Sequence, residues 1–256
     1  MANTTHKTAS SVDPAEMSNF AAMAEDWWNP NGKFKPLHIM NSCRVGYIKD
    51  EICTHFMRDP DAALPLKGLH ILDVGCGGGL LCEPMARLGA KVTGVDALEK
   101  NIQAATHHAQ QSGLEIDYRY SSVEALLESG EKPYDVVLNM EVLEHVTAPD
   151  EFIKTCAGLV KPFCGDRGGL MFCSTINRTA KAFTLAILGA EYIMNWLPKG
   201  THQYAKFIKP VEMLRMLKDA GLVPDEPAGM VYNPMAGNWK ISDDVGVNYV
   251  VRSVNV

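Results

Sequence analysis

Residues 69–79 read Leu69-His-Ile-Leu-Asp-Val-Gly-Cys-Gly-Gly-Gly79. A short apolar run ending in glycines reads as a buried strand, and Leu80 to Leu88 reads as a helix that Gly89 stops. Glycine lets the main chain turn sharply and lets a ligand approach its N–H groups. A strand, a glycine loop and a helix in that order are the context a nucleotide-binding motif needs. The dinucleotide spacing G-x-G-x-x-G is absent: counted from Gly75 the third glycine falls on Leu80, and counted from Gly77 it falls on Cys82. No Lys-Ser/Thr pair follows for a P-loop. The spacing is G-x-G-x-G, with the acid Asp73 two residues ahead of the first glycine.

Outward from this loop the pattern alternates. Strands are predicted at Leu69–Val74, Lys91–Val95, Ile116–Tyr120, Tyr134–Leu138, Gly169–Ser174, Gly229–Tyr232 and Val247–Val251. Helices are predicted at Leu98–Gln111, Asp150–Val160 and Pro210–Ala220. Strands separated by helices of about ten residues imply an α/β, doubly wound, mostly parallel seven-stranded sheet. The chain reads as a single domain over 1–256. Residues 1–12 form a polar, frayed end, and 13–57 form an N-terminal helical cap. That cap holds one helix from Asp13-Pro14 to Trp28 and a second from Ile39 to Phe56. Residues 175–209 form an insertion after strand five.

Composition narrows the function. With 24 basic and 30 acidic residues the net charge is −6, and a nucleic-acid partner is disfavoured. The seven cysteines lack any C-x-x-C spacing, so neither a zinc ribbon nor a secreted disulfide framework is expected, and the chain reads as cytoplasmic. No signal or transit pattern opens the sequence, and no stretch of about 18 apolar residues spans a membrane.

Two groups of residues carry chemistry. Asp96 ends the second strand about twenty residues after the loop, where a carboxylate can accept both hydroxyls of a ribose. Glu141, Glu144 and His145 follow the fourth strand at i, i+3 and i+4, so one helical turn would project them to one side. Two carboxylates and an imidazole suit a divalent cation with open positions, or acid–base work. They equally suit a helix start whose acids favour its dipole.

The glycine motif with its preceding acid resembles the first motif of class I S-adenosylmethionine methyltransferases. Over residues 16–252 the chain resembles the ubiquinone-biosynthesis O-methyltransferases. The stretches that carry the resemblance are Trp27-Trp28, Phe34-Lys-Pro-Leu-His38, Asn41 to Ile48, Leu72 to Gly79, Glu141-Val-Leu-Glu-His145, Ser174-Thr-Ile-Asn-Arg178, Gly189-Ala-Glu-Tyr-Ile193, Pro198-Lys-Gly-Thr-His202, Phe207-Ile-Lys-Pro210, Tyr232-Asn-Pro234 and Val247-Asn-Tyr249. The resemblance implies a Rossmann-like fold and two O-methylations of a polyprenylated catechol or demethylubiquinol, with S-adenosylmethionine as donor. It implies cofactor contacts at Arg44, Asp73, Gly75, Gly77, Asp96, Ser122 and Met140. Arg44 would meet the methionine carboxylate, Asp73 the loop or the ammonium, Ser122 the adenine, and Met140 would lie under the cofactor. It implies a magnesium site, a candidate cofactor, on Glu141, Glu144 and His145, which are also the catalytic candidates; His145 is the base in a metal-free mechanism. Residues 163–167 and 58–67 depart from the family by added length.

The substrate's tail points to a further partner. Residues 182–197 are apolar on nearly every helical face, broken mainly by Glu191 and Asn195, and are flanked by Arg178, Lys181, Lys199, Lys206 and Lys209. Such a helix is buried or meets lipid, and its basic flanks suit anionic headgroups on the inner face of the plasma membrane. Other enzymes of ubiquinone biosynthesis are further candidate partners. Two alternatives compete: a methyltransferase for another small phenolic acceptor, and a non-catalytic nucleotide-binding scaffold in a biosynthetic complex.

Overall fold

The computed structural model describes Met17, Ala21 and residues 23–165, 167–184 and 204–256. Helix α1 (Lys35–His55) leads into alternating units: β1 (His70–Val74), α2 (Cys82–Arg87), β2 (Lys91–Asp96), α3 (Glu99–Gln111), β3 (Asp117–Tyr120), α4 (Val123–Glu128), β4 (Val136–Met140), α5 (Pro149–Gly158) and β5 (Leu170–Ile176). Helix α6 (Pro210–Asp219) then precedes β6 (Leu222–Pro224), β7 (Ala228–Asn233), β8 (Asn238–Ser242) and β9 (Asn248–Asn255).

The strands form one sheet in the order β3-β2-β1-β4-β5-β9-β7-β8, with β6 also paired to β9. The first five are parallel, and β9 joins β5 antiparallel. The α/β fold and the parallel half agree with the sequence expectation, but among the described residues the sheet has nine strands rather than seven. The added strands are β6 and β8. The first has three residues, too few to show a period, and the second is a mostly exposed run without an apolar face.

Strand β1 neighbours β2 on one side and β4 on the other, so the winding reverses between β1 and β4. Open sheets of this kind leave a crevice beyond the strand ends at that reversal. The glycine loop leaves β1 and the Glu141 segment leaves β4 on the two sides of it.

Alternate side chains of the strands feed two cores. Leu72, Val137 and Met171 pack with Ile153 of α5 and Leu217 of α6 on one face. Ile71, Leu138 and Phe172 pack with Met85 of α2 and Ile48 of α1 on the other. Leu138 is fully buried between neighbouring strands. Truncating such a leucine to alanine costs about 2–5 kcal/mol, so either face would lose much of its stability through one change.

Helix α1 begins at Lys35, four residues before the expected Ile39, because Pro36 sits in its first turn, where a missing N–H costs nothing. Met40, Arg44, Ile48 and Ile52 follow at steps of four and form its buried stripe. Of the helix expected over 13–28, the described residues Met17 and Ala21 are helical, but Ala24–Asp26 is a 3-10 turn followed by turns, so the helix ends before Trp28. Asp13, Pro14 and Phe20 lie outside the described residues, as do 185–203, and with them most of the apolar insertion.

Candidate active site

A cavity of about 230 Å3 occupies the crevice at the winding reversal. Gly75 and Gly77 form its floor, Asp96 and the Ser121–Glu124 turn one side, and Met140, Glu141 and His145 the other. Met23, Trp27 and Phe34 of the N-terminal segment close it.

The glycines are conformationally required. Gly75 and Gly77 have φ of +69° and +53°, and a β-carbon on Gly77 would stand 2.4 Å from the Trp27 ring. The same ring would meet a β-carbon on Gly78 at 2.3 Å. Trp27 therefore lies directly on the loop. Trp28 donates its indole N–H to the Gly78 carbonyl at 2.8 Å and stacks on His108, with ring centroids 3.4 Å apart. His108 in turn meets the buried Glu83 carboxylate at 2.5 Å.

Asp96 lies where the sequence places it, at the end of β2, and its carboxylate already serves the fold. Oδ2 accepts from the Gly77 N–H at 2.9 Å, and Oδ1 accepts from the Leu98 N–H at 2.8 Å and from Asn101 Nδ2 at 3.2 Å. Burial raises its pKa, opposed by these donors. Ser122 lines the cavity while capping α4: its hydroxyl accepts from the Ala125 N–H at 3.2 Å. Ser122 thus caps a helix and borders the cavity with the same side of the turn.

Arg44 is a buried arginine of α1, 5% exposed, and its Nε has no hydrogen-bond partner. One terminal nitrogen donates to Asn41 Oδ1 at 3.1 Å, and the charges of Glu141 and Asp73 lie near the guanidinium. Asp73 is equally buried and accepts from the Cys82 thiol at 3.1 Å; burial pushes its carboxyl up to about 6. Neither side chain lines the cavity described above.

The segment after β4 departs from the expected helical turn. Glu141 has φ of +59°, a left-handed conformation uncommon for a non-glycine residue. Its N–H donates to the Ser174 carbonyl at 3.1 Å, which pins it to β5. The 3-10 turn spans only Leu143–His145. With three residues per turn, Glu144 and His145 diverge by about 120°. His145 lines the cavity; Glu144 is 4% exposed and accepts from the Thr175 hydroxyl at 2.8 Å. Glu141 accepts from the Ser174 hydroxyl at 2.7 Å. Burial, then the charge of Glu144, pushes the Glu141 carboxyl up to about 7, opposed by Ser174, Arg44 and His145.

This arrangement bears on the two implied ligands differently. S-adenosylmethionine fits on three counts: the orphaned Arg44 donor, the glycine floor and an acid beside the cavity. The magnesium set does not gather. Each carboxylate is turned onto a hydroxyl of β5, and among the described residues no three His, Cys, Asp or Glu side chains group closely enough to hold an ion.

Sequence reasoning missed Trp27 and Asn101 as parts of the site. The adjacent tryptophans before the Asn29–Gly32 turn were visible, but nothing local says what they cover. It also read Arg178 and Lys181 as open cations. Arg178 pairs with Glu212, and Lys181 with Asp244 at 2.5 Å.

A family model described as a methyltransferase domain matches residues 47–226. A ubiquinone biosynthesis O-methyltransferase of Chelativorans sp. (strain BNC1) is 56% identical over 94% of this chain and 92% of its own length. One from Cereibacter sphaeroides (strain ATCC 17029 / ATH 2.4.9) is 55% identical over 97% of this chain and 98% of its own length. Among solved structures, magnesium protoporphyrin IX methyltransferase from Synechocystis PCC 6803 with bound SAH aligns at a TM-score of 0.60. It is 22% identical, over 93% of this chain and 95% of that one. A SAM-dependent methyltransferase from Aquifex aeolicus aligns at 0.57, 15% identical, over 92% and 98%. These two likenesses concern the fold.

Proposed function

The chain belongs to the ubiquinone biosynthesis O-methyltransferases, and on that premise we propose that it methylates a hydroxyl of a prenylated catechol or quinol in the cavity beyond β1 and β4. It is a class I, S-adenosylmethionine-dependent O-methyltransferase. The observation that carries the site assignment is that Glu141, in a left-handed conformation, and His145 line one cavity with the glycine loop.

When bound, S-adenosylmethionine supplies an electrophilic methyl on a positively charged sulfur. This chain's residues supply the rest. Arg44, buried outside the cavity lining, has an unpartnered Nε that the methionine carboxylate would have to reach past that lining. Gly75 and Gly77 let the cofactor lie against main chain, and Met140 forms an apolar wall. The acceptor oxygen must be deprotonated, because a phenol with a pKa near ~10 is a poor nucleophile at neutral pH. Glu141 and His145 are the groups in the cavity that accept that proton, and Glu141's raised pKa suits it to the task near neutrality. With the donor bound, Glu141 and His145 would hold the acceptor's proton while the acceptor oxygen took the methyl group and the sulfur kept the electron pair of the broken bond. Holding both partners aligned in a dry cavity accounts for much of the acceleration in such transfers.

The hydrophobic tail suggests a peripheral contact with anionic lipid. At the root of the insertion, Phe183 and Tyr204 are exposed and meet edge to face, with ring centroids 5.6 Å apart. No described helix is long and apolar enough to cross a membrane. Lys209 stays as a candidate headgroup contact, while Arg178 and Lys181 are taken by Glu212 and Asp244.

The test is transfer of labelled methyl from S-adenosylmethionine to a short-tailed prenyl catechol. Product with one or two added methyl groups is expected. Binding of S-adenosylhomocysteine without product on any prenyl catechol would point to another acceptor or to a scaffold.

A further inference from the structure

Trp27 ties the N-terminal segment to the acid beside the cofactor cavity through a chain of hydrogen bonds. Its indole N–H donates to Asn101 Oδ1 at 2.9 Å, and both residues are buried. Asn101 Nδ2 donates to Asp96 Oδ1 at 3.2 Å, and Asp96 Oδ2 accepts from the Gly77 N–H at 2.9 Å. The loop closes on itself, because the Trp27 ring lies on Gly77 and Gly78. Four residues from three separate parts of the chain thus form one ring around the floor of the cavity.

The ring limits what Asp96 can offer a ligand. A carboxylate has about four acceptor positions. Leu98 and Asn101 take those of Oδ1, and Gly77 takes one on Oδ2. One position remains, on Oδ2. A grip on two ribose hydroxyls through both oxygens is therefore not available without breaking a bond of the fold. Gly77, Leu98 and Asn101 together set the direction of the remaining position; of these only Asn101 donates from a side chain, and its amide is held by the indole. Trp27, Asn101 and Asp96 all line the cavity.

We propose that Trp27 and Asn101 are positioning residues for the cofactor: the indole N–H fixes the Asn101 amide, and the amide orients the Asp96 carboxylate so that the free position of Oδ2 serves the ribose. Closure of the N-terminal segment and grip on the cofactor are then one event. This rests on the cavity being the S-adenosylmethionine site.

The test is a double-mutant cycle on the whole chain, read by calorimetric binding of S-adenosylhomocysteine. Trp27→Phe keeps an aromatic ring over the glycines and removes the N–H; Asn101→Ala removes the amide. Each is expected to weaken binding by about 5–10-fold, the loss of roughly one hydrogen bond. The KM for S-adenosylmethionine is expected to rise by a similar factor, with a smaller fall in kcat. The double variant is expected to be no weaker than the weaker single, since both cut the same relay. Additive losses, or lowered melting temperatures with unchanged Kd, would overturn the proposal. If Trp27→Phe does not fold, Asn101→Ala decides alone: an unchanged Kd overturns the relay. Failure of the unmodified protein to bind S-adenosylhomocysteine would overturn the cofactor reading and the relay with it. Normal binding by the unmodified protein and by both variants would overturn the relay only.

Discussion

The Ser174 hydroxyl donates to the Glu141 carboxylate at 2.7 Å, across the boundary between the ends of β5 and β4. This bond favours the charged form of a carboxyl that burial otherwise pushes up to about 7. Ser174→Ala removes the donor, so the Glu141 pKa should rise further. The acidic limb of kcat/KM should then move up by roughly one pH unit. A pH–rate profile of the variant checks this; an unmoved limb means another group sets it.

The acidic limb itself has a definite sign. Glu141 accepts a proton only when ionised, and its pKa is raised, so activity should fall as pH falls through about 7. Glu141→Gln should lower kcat by about 10²–10⁴-fold, the usual range for a proton-accepting group, and flatten that limb. His145→Asn should cause a loss of similar order, and the double variant should be little worse than the worse single, because the two act on one proton. S-adenosylhomocysteine binding, measured in parallel, should change much less than kcat.

Gly77→Ala tests the floor of the site. The residue combines φ of +53° with a Trp27 ring 2.4 Å from the added methyl. A left-handed alanine costs about 1–2 kcal/mol, and the clash adds to it. The variant should melt lower, bind S-adenosylhomocysteine more than ~10-fold more weakly, and become easier to cleave near residues 23–34. Normal binding would mean that the tryptophan yields at little cost.

Glu144 is expected to matter first for stability. Glu144→Ala leaves the buried Thr175 hydroxyl without its acceptor, which should cost about 1–3 kcal/mol. For a chain of this size each kcal/mol corresponds to about 2–4 °C in Tm. Glu144→Gln keeps the shape and an acceptor, so its loss should be smaller. Equal losses in thermal denaturation would show that the charge matters rather than the bond.

Lipid contact is tested by co-sedimentation with anionic vesicles. Binding is expected at low salt and should weaken as the Debye length shortens from about 30 Å at 0.01 M to about 8 Å at 0.15 M. Lys209→Glu should weaken it further. An equal response to neutral vesicles would remove the headgroup part of the reading and leave only the apolar one.

Much of the fold and part of the site were legible in the sequence because their signals are local. The apolar run of β1, the glycines after it and Asp96 at the end of β2 sit in the chain where they sit in space. The parallel half of the sheet follows from strands spaced by helices. Strand β6 was too short to show a period, and β8 had no buried face to mark it.

What the sequence by itself determined is the class of fold, the loop, and the residue types gathered at the strand ends, because hydrophobic period and glycine freedom act over a few residues. Tertiary structure alone decided which side chains meet. Glu141 itself takes a left-handed conformation after β4 and lines the cavity, and a 3-10 turn sent Glu144 to Thr175 instead of to His145's side. Contact across 74 residues brought Trp27 to Asn101, and contact across 34 took Arg178 to Glu212. Such partners are fixed by the packing of distant elements, and no spacing along the chain encodes them.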